Sequence, residues 1–134
     1  MKIQKTNNQP KISFKYKSVL KTYWRQGKLP TVIKDIYGND LIEATVEHVK
    51  PHSKGGKSTL FNYVLANPWS NCQRGSDDIM KWTNYENVYN WFKQFVNVDL
   101  PLLKGDNYIK NATKPFGETG KKVIEQLKSE GLII

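Results

Sequence analysis

The sequence is poor in cysteine and contains no long apolar run. The single cysteine, Cys72, cannot form an internal disulfide, and its solitude excludes a cysteine-rich zinc site. No apolar stretch approaches the ~20 residues of a membrane-spanning helix. The polar, basic N-terminus lacks the apolar segment of a secretory signal. These absences predict an intracellular, cytoplasmic protein that does not enter a membrane.

Acidic residues are also few. The chain has 21 Lys and Arg residues against 12 Asp and Glu residues, and its formal net charge is +9. Such a surplus attracts polyanions, of which nucleic acid is the commonest soluble one, with an anionic membrane surface as the rival. Its 134 residues are the length of one domain, and an apolar content of 38% suffices for one core. We expect a single domain over 1–134 with nucleic acid as its partner.

The N-terminal half has the pattern of a helix followed by a hairpin. Residues 1–11 are polar and basic and predict a flexible arm, and residues 14–26 carry apolar side chains at helical spacing. A strand is expected over 41–49, then the loop KPHSKGGKST, then a second strand at NYVLA. Pro68 suits the first turn of a helix opening near WSNCQRG. Residues 41–80 are therefore expected to form the centre of the domain.

The C-terminal part, 84–134, is expected to be helical. TNYENVYNWFKQFV and TGKKVIEQLKSEG both have amphipathic helical spacing, and Gly131 suits a helix C-terminus. The stretch between them, NVDLPLLKGDNYIKNATKPFGE, is predicted to be irregular. No internal repeat is visible. The whole pattern predicts an α+β fold.

Both histidines lie close together, and one of them directly follows a carboxylate. Glu47 and His48 are adjacent on a predicted strand, where successive side chains point to opposite faces. A carboxylate is a hard oxygen ligand for a divalent cation, and an imidazole titrates near neutral pH and can act as a general base. The pair therefore predicts a metal behind the strand and a base facing a substrate. The following loop, KPHSKGGK, would bring backbone and lysines close to phosphates.

Residues 47–75 resemble the HNH endonuclease motif, also called the ββα-metal fold. The matching segments are EHVKPHSKGG, NYVLA and NCQRG, in the order of the family pattern. The asparagine at the third position makes the HNN subtype the closer match, and the HNH nuclease domain of the RNA-guided CRISPR effector has a similar layout. The resemblance implies a ββα-metal hairpin-plus-helix module embedded among flanking α-helices. Many stand-alone members of this size belong to phages or mobile elements.

The resemblance also implies a role for four residues. Glu47 matches the acidic metal ligand, which is more often Asp in the family, and Asn71 matches the last ligand. His48 matches the general base. Asn62 matches the middle asparagine, which orients the base and braces the loop. The implied cofactor is one Mg²⁺ or Mn²⁺ ion, with no structural zinc.

Four further residues are expected to meet the nucleic acid. Lys54, Lys57 and Arg74 are predicted to contact phosphate, with a solvated helix face as the alternative for Arg74. His52 is expected to contact phosphate or to be exposed to solvent, rather than to take part in catalysis.

Each catalytic assignment has a structural alternative. Glu47 could pair with a lysine, Asn62 could be a turn residue, and Asn71 could cap a helix. Asn67 could take the role of Asn62 if the register differs.

Two classes of function follow. The first is a metal-dependent DNA endonuclease or nickase, a phosphodiester hydrolase. One such site cuts one strand, so a duplex break needs a homodimer, a protein partner or two successive nicks. RNA remains an open alternative substrate, since recognition of the 2′-hydroxyl cannot be derived from this chain. The second class is a non-cleaving protein on an HNH-like scaffold that binds nucleic acid or inhibits host defence.

Overall fold

The computed structural model describes residues 19–70 and 73–134. These residues form four α-helices and two small antiparallel sheets, which confirms the α+β class. The helices are α1 (Val19–Arg25), α2 (Tyr85–Lys93), α3 (Gly105–Ala112) and α4 (Glu118–Ser129). The strands are β1 (Thr45–His48), β2 (Tyr63–Ala66), β3 (Asp99–Leu100) and β4 (Leu103–Lys104). Single 3-10 turns lie at His52–Lys54, Leu60–Asn62, Ile79–Lys81 and Lys114–Phe116.

The central element is the hairpin of β1 and β2. The strands pair antiparallel, with Thr45 opposite Ala66 and His48 opposite Tyr63. All four residues of β2 are buried, whereas those of β1 are only half-buried. Helix α1 packs on both strands, and α3 packs against the turn that precedes β2. The hairpin therefore has one well-covered strand and one strand whose end reaches the surface.

An aromatic cluster joins the C-terminal helices to this hairpin. Trp91, Phe95 and Tyr108 are almost completely buried, with ring centroids of Phe95 and Tyr108 4.7 Å apart. The hydroxyl of Tyr108 donates to the carbonyl of Tyr63 at 2.8 Å, which satisfies a polar group inside the core. Burial raises the pKa of Tyr108, so this phenol remains a donor. Helices α2 and α4 also pack on each other.

The C-terminal part is more ordered than the sequence indicates. The helices predicted around residues 85–93 and 118–129 are confirmed as α2 and α4, and Gly131 follows α4 with a φ of +73°. The prediction of an irregular stretch between them is wrong, because the hairpin of β3 and β4 and helix α3 form there. Gly105 permits this connection, since a Cβ there would lie 2.1 Å from the carbonyl oxygen of Phe95.

The N-terminal prediction can be compared only in part. Helix α1 covers the second half of the helix predicted over 14–26, while residues 14–18 and the arm over 1–11 lie outside the described residues. Within the described ranges, no helix is long and apolar enough to cross a membrane.

The helix predicted after Pro68 is not formed by the described residues of that segment. Residues 68–70 and 73–76 form turns on either side of residues 71 and 72. The side chains of Asn67 and Ser70 both donate to the carboxylate of Asp35, and these tertiary hydrogen bonds stabilise the turn at 68–70. The described residues thus form an antiparallel hairpin where two strands were expected, and they do not confirm the ββα-metal module.

A buried carboxylate holds this segment against the loop before β1. Asp35 is 1% exposed, and its Oδ1 accepts from the backbone N–H groups of Tyr37 and Asn39. Its Oδ2 accepts from the backbone and side-chain amides of Asn67 and from the Ser70 hydroxyl at 2.6 Å. Asn67 also donates to the carbonyl of Asp40. Its side-chain amide is thereby engaged in a structural network.

We expect Asp35→Asn to lower the free energy of unfolding by about 2 to 4 kcal/mol. Both oxygens of Asp35 accept hydrogen bonds, so the NH₂ group of an asparagine would face the N–H or O–H donors that one of these oxygens now binds. Urea denaturation would measure the change. The matched control is Asp40→Asn, which should change stability by less than about 1 kcal/mol. The exposed Asp40 side chain forms a surface ion pair with Lys34. Equal effects of the two substitutions would contradict the structural role of Asp35.

Candidate functional site

The end of β1 presents Glu47 and His48 in different surroundings. The ring of His48 meets the ring of Tyr63, its cross-strand neighbour, edge-on with centroids 4.9 Å apart. The carboxylate of Glu47 instead contacts Tyr37 and Arg74. This difference follows from strand geometry, since successive side chains leave opposite faces of a strand. A base and a carboxylate therefore lie at one strand end without competing for the same space.

One oxygen of the Glu47 carboxylate makes all the contacts of this group with described residues. Oε2 accepts from the Tyr37 hydroxyl at 2.8 Å and lies 3.3 Å from Nη1 of Arg74. Burial, followed by the nearby charge and hydrogen bond of Glu47, raises the pKa of Tyr37, so its phenol stays protonated and donates. Within the described ranges, Oε1 has no hydrogen bond. It is the oxygen through which Glu47 could bind another group.

Arg74 is a buried residue of this site. It is 3% exposed, and its guanidinium donates to three backbone carbonyls, those of His48 at 2.8 Å, Val49 at 2.7 Å and Asp77 at 2.9 Å. This geometry differs both from the phosphate contact and from the solvated position expected from the sequence. A guanidinium with these bonds would have to break them to reach a phosphate. Arg74 instead holds the end of β1 in place.

Asn62 closes the loop between the two strands. Its Oδ1 accepts from the backbone N–H of Lys50 at 2.9 Å, and its Nδ2 donates to the carbonyls of Lys50 and Lys57. The backbone carbonyl of Asn62 accepts from Val49. One side chain 5% exposed thus ties both ends of the loop together. Bracing of the loop is one of the two roles that the resemblance to HNH nucleases implies for Asn62, and its orientation of a base stays a prediction.

The loop itself is shaped by a close backbone contact and presents its side chains to solvent. A Cβ on Gly56 would lie 1.8 Å from the carbonyl oxygen of Lys50, so only glycine fits there. His52, Lys54 and Lys57 are exposed. For His52, exposure agrees with both interpretations that the sequence left open, and the two lysines are free to meet a phosphate.

The remaining predicted ligand, Asn71, lies outside the described residues. Within residues 19–70 and 73–134, no three His, Cys, Asp or Glu side chains come together as a metal-binding group. In this part of the chain, Glu47 is therefore a lone carboxylate beside an arginine and a tyrosine.

Two residues of the site, Tyr37 and Lys114, escaped the sequence analysis. Tyr37 precedes Glu47 by ten residues in a turn, and no local pattern links the two. Lys50 and Lys114 line the same recess beside the loop although they are far apart in sequence. Only the tertiary fold brings them together, although the high content of lysine is a general signal for such a surface.

Comparisons of the chain with protein-family models, with curated proteins and with solved structures gave no match.

We expect Arg74→Met to lower the free energy of unfolding by about 3 kcal/mol or more, because it leaves one buried and two partly buried carbonyls without their donor and removes the cation beside Glu47. Chemical denaturation would measure the loss. The control is Arg25→Met at the exposed end of α1, which should change stability by at most about 0.5 kcal/mol. A small effect of Arg74→Met would contradict the conclusion that this guanidinium stabilises the end of β1.

Proposed function

We propose that the protein is a metal-dependent endonuclease that hydrolyses phosphodiester bonds of DNA, with His48 as the general base. The observation that carries the proposal is the arrangement at the end of β1. Glu47 and His48 lie side by side there, and the lysine-bearing loop that follows is braced by Asn62. The resemblance of residues 47–75 to HNH nucleases supports the same reading.

The carboxylate of Glu47 and the amide oxygen of Asn71 are donor types that suit one hard divalent cation, Mg²⁺ or Mn²⁺. Glu47 and Asn71 would hold it, with Oε1 as the carboxylate oxygen that no described residue uses. Two protein oxygens are enough for a Mg²⁺ site, because this ion commonly keeps several waters. When bound, the ion would neutralise charge on the phosphate and on the leaving 3′ oxygen. A structural zinc has no basis in a chain with one cysteine.

The chain's own residues supply the proton transfer and its geometry. A ring nitrogen of His48 would take a proton from the attacking water. The edge contact with Tyr63 limits rotation of the imidazole, and the bond from Arg74 to the His48 carbonyl fixes the backbone from which the ring projects. Tyr37 holds Oε2 of Glu47, which sets the direction of Oε1. Lys54 and Lys57 would contact phosphates from the loop.

A second candidate function is favoured by the contacts of Glu47. Its Oε2 lies between the hydroxyl of Tyr37 and the guanidinium of Arg74, and the Glu47 side chain is only 15% exposed. A carboxylate can occupy such a position for structural reasons alone. The alternative is a non-cleaving protein that binds nucleic acid or inhibits host defence on an HNH-like scaffold.

We expect the purified protein to nick supercoiled plasmid in Mg²⁺ or Mn²⁺, and His48→Ala to lower the rate by about 100-fold or more, since a general base contributes at least that much. Gel separation of supercoiled and nicked plasmid measures the rate. The matched control is His52→Ala, which removes the exposed histidine of the loop that follows β1 and should keep most of the activity. EDTA should abolish nicking. Equal rates for the two histidine variants would exclude His48 as the base.

A further test separates the ligand role of Glu47 from a purely structural one. Glu47→Gln keeps the shape and removes the charge, so we expect the Mg²⁺ concentration for half-maximal nicking to rise about tenfold or more. The exposed carboxylate of Glu43 provides the matched control, Glu43→Gln. A variant that loses stability in urea but nicks with an unchanged Mg²⁺ requirement would support the structural ion pair and contradict ligation by Glu47.

A further inference from the structure

Three recesses lie along the segment that joins α3 to α4. Their volumes are about 470, 340 and 490 Å³. The first two also border the loop after β1, and the third lies between α3 and α4. Lys114 lines all three, so they meet at one residue and form an extended surface rather than three separate sites.

This surface is strongly basic. Six exposed lysines line the three recesses, whereas Asp78 and Glu125 are the only acidic residues that do so. The lysines are Lys50, Lys54, Lys57, Lys110, Lys114 and Lys121. Of these six lysines, only Lys121 has a carboxylate of a described residue within 4.0 Å of its ammonium group, namely that of Glu118. We call the surface formed by these six residues the lysine groove.

The groove begins at the proposed catalytic strand. Lys50 is two residues beyond His48, so their Cα atoms are at most about 7.6 Å apart. The side-chain amide of Asn62 binds the backbone of both Lys50 and Lys57, which sets the positions of these lysines relative to β1. The positive surface continues onto the C-terminal part of the chain through Lys110, Lys114 and Lys121. These three lysines lie outside residues 47–75, the segment that resembles HNH nucleases.

We propose that the lysine groove binds the phosphodiester backbone of the nucleic acid next to the cleaved bond. This inference rests on the proposed function, because it takes the substrate of His48 to be nucleic acid. A free phosphate would occupy one recess, whereas a chain of phosphates can contact lysines in all three. Phe61 and Pro115 form an apolar wall of the first recess, against which a sugar or a base can pack. The C-terminal helices thereby hold the nucleic acid while His48, at the end of β1, acts on the phosphodiester bond.

The test measures binding without cleavage. A fluorescent DNA duplex two helical turns long is titrated with the full chain in EDTA, and anisotropy gives the affinity over a series of KCl concentrations. The variant Lys110→Ala/Lys114→Ala/Lys121→Ala removes groove lysines that lie outside the HNH-like segment. The matched control, Lys28→Ala/Lys93→Ala/Lys128→Ala, removes the same charge from exposed lysines that line none of the three recesses. Circular dichroism verifies that both variants fold.

We expect the groove variant to bind about tenfold or more weakly and its salt slope to fall by about 3, one unit for each lost phosphate contact. The control should change affinity by less than about threefold. Equal losses in both variants would overturn the proposal, since net charge alone would then explain binding. Absence of DNA binding by the unmodified protein would overturn it too. So would capture of phosphatidylserine–phosphatidylcholine vesicles, but not DNA, through the same lysines.

Plasmid nicking by the same variants separates this inference from the proposed function. If the groove holds the substrate, the variant should have a higher KM for DNA and an unchanged kcat, because His48 is untouched. If the unmodified protein never nicks plasmid but the groove variant loses DNA binding, the proposed nuclease activity is refuted and DNA binding by the lysine groove is supported. If the protein nicks plasmid and the groove and control variants have equal KM values, DNA binding by the lysine groove is refuted and the proposed nuclease activity is supported.

Discussion

The position of the site depends on one buried guanidinium. Arg74 joins the turn around Asp77 to the last residues of β1 through backbone carbonyls, and it also contacts Glu47. Carbonyls at the end of a strand have no ladder partner, and inside a protein they need a donor. A single planar group serves two carbonyls at the strand end and one in the turn around Asp77, so the strand end, the Glu47 carboxylate and this turn form one unit. The orientation of His48 is inherited from that unit.

The parts of the fold that follow from local pattern could be predicted, and the parts that depend on tertiary contacts could not. The hairpin and helices α2 and α4 have clear periodicity. The prediction of an irregular stretch over 97–118 is wrong, although Pro101 and Gly105 are ordinary breaker signals. In the structure Pro101 lies in the turn between β3 and β4, and Gly105 begins α3. The described residues of the segment after Pro68 form turns instead of the expected helix, and Asn67 and Ser70 beside them bind the distant carboxylate of Asp35, which no local pattern indicates.

The same distinction applies to the site. Glu47, His48 and Asn62 could be selected because their spacing resembles a known motif, and the structure adds the bonds by which Asn62 closes the loop. Arg74 was placed on the surface, since a charged residue before a glycine has no local sign of burial. Tyr37 and Lys114 were missed because each meets the site only through the folded chain. Motif spacing reports residues that share a short segment, and it is silent about those contributed from elsewhere.

The loop after β1 owes its shape to contacts of the main chain. Gly56 lies against the carbonyl of Lys50, and Asn62 binds only backbone atoms of the loop. The exposed side chains in between, such as those of His52, Lys54 and Lys57, contribute little to that conformation. The exposed residues of the loop can therefore be substituted without altering its backbone conformation. Under the proposed function, substitution of these exposed residues would change the contacts with nucleic acid while the strand that carries Glu47 and His48 stays as it is.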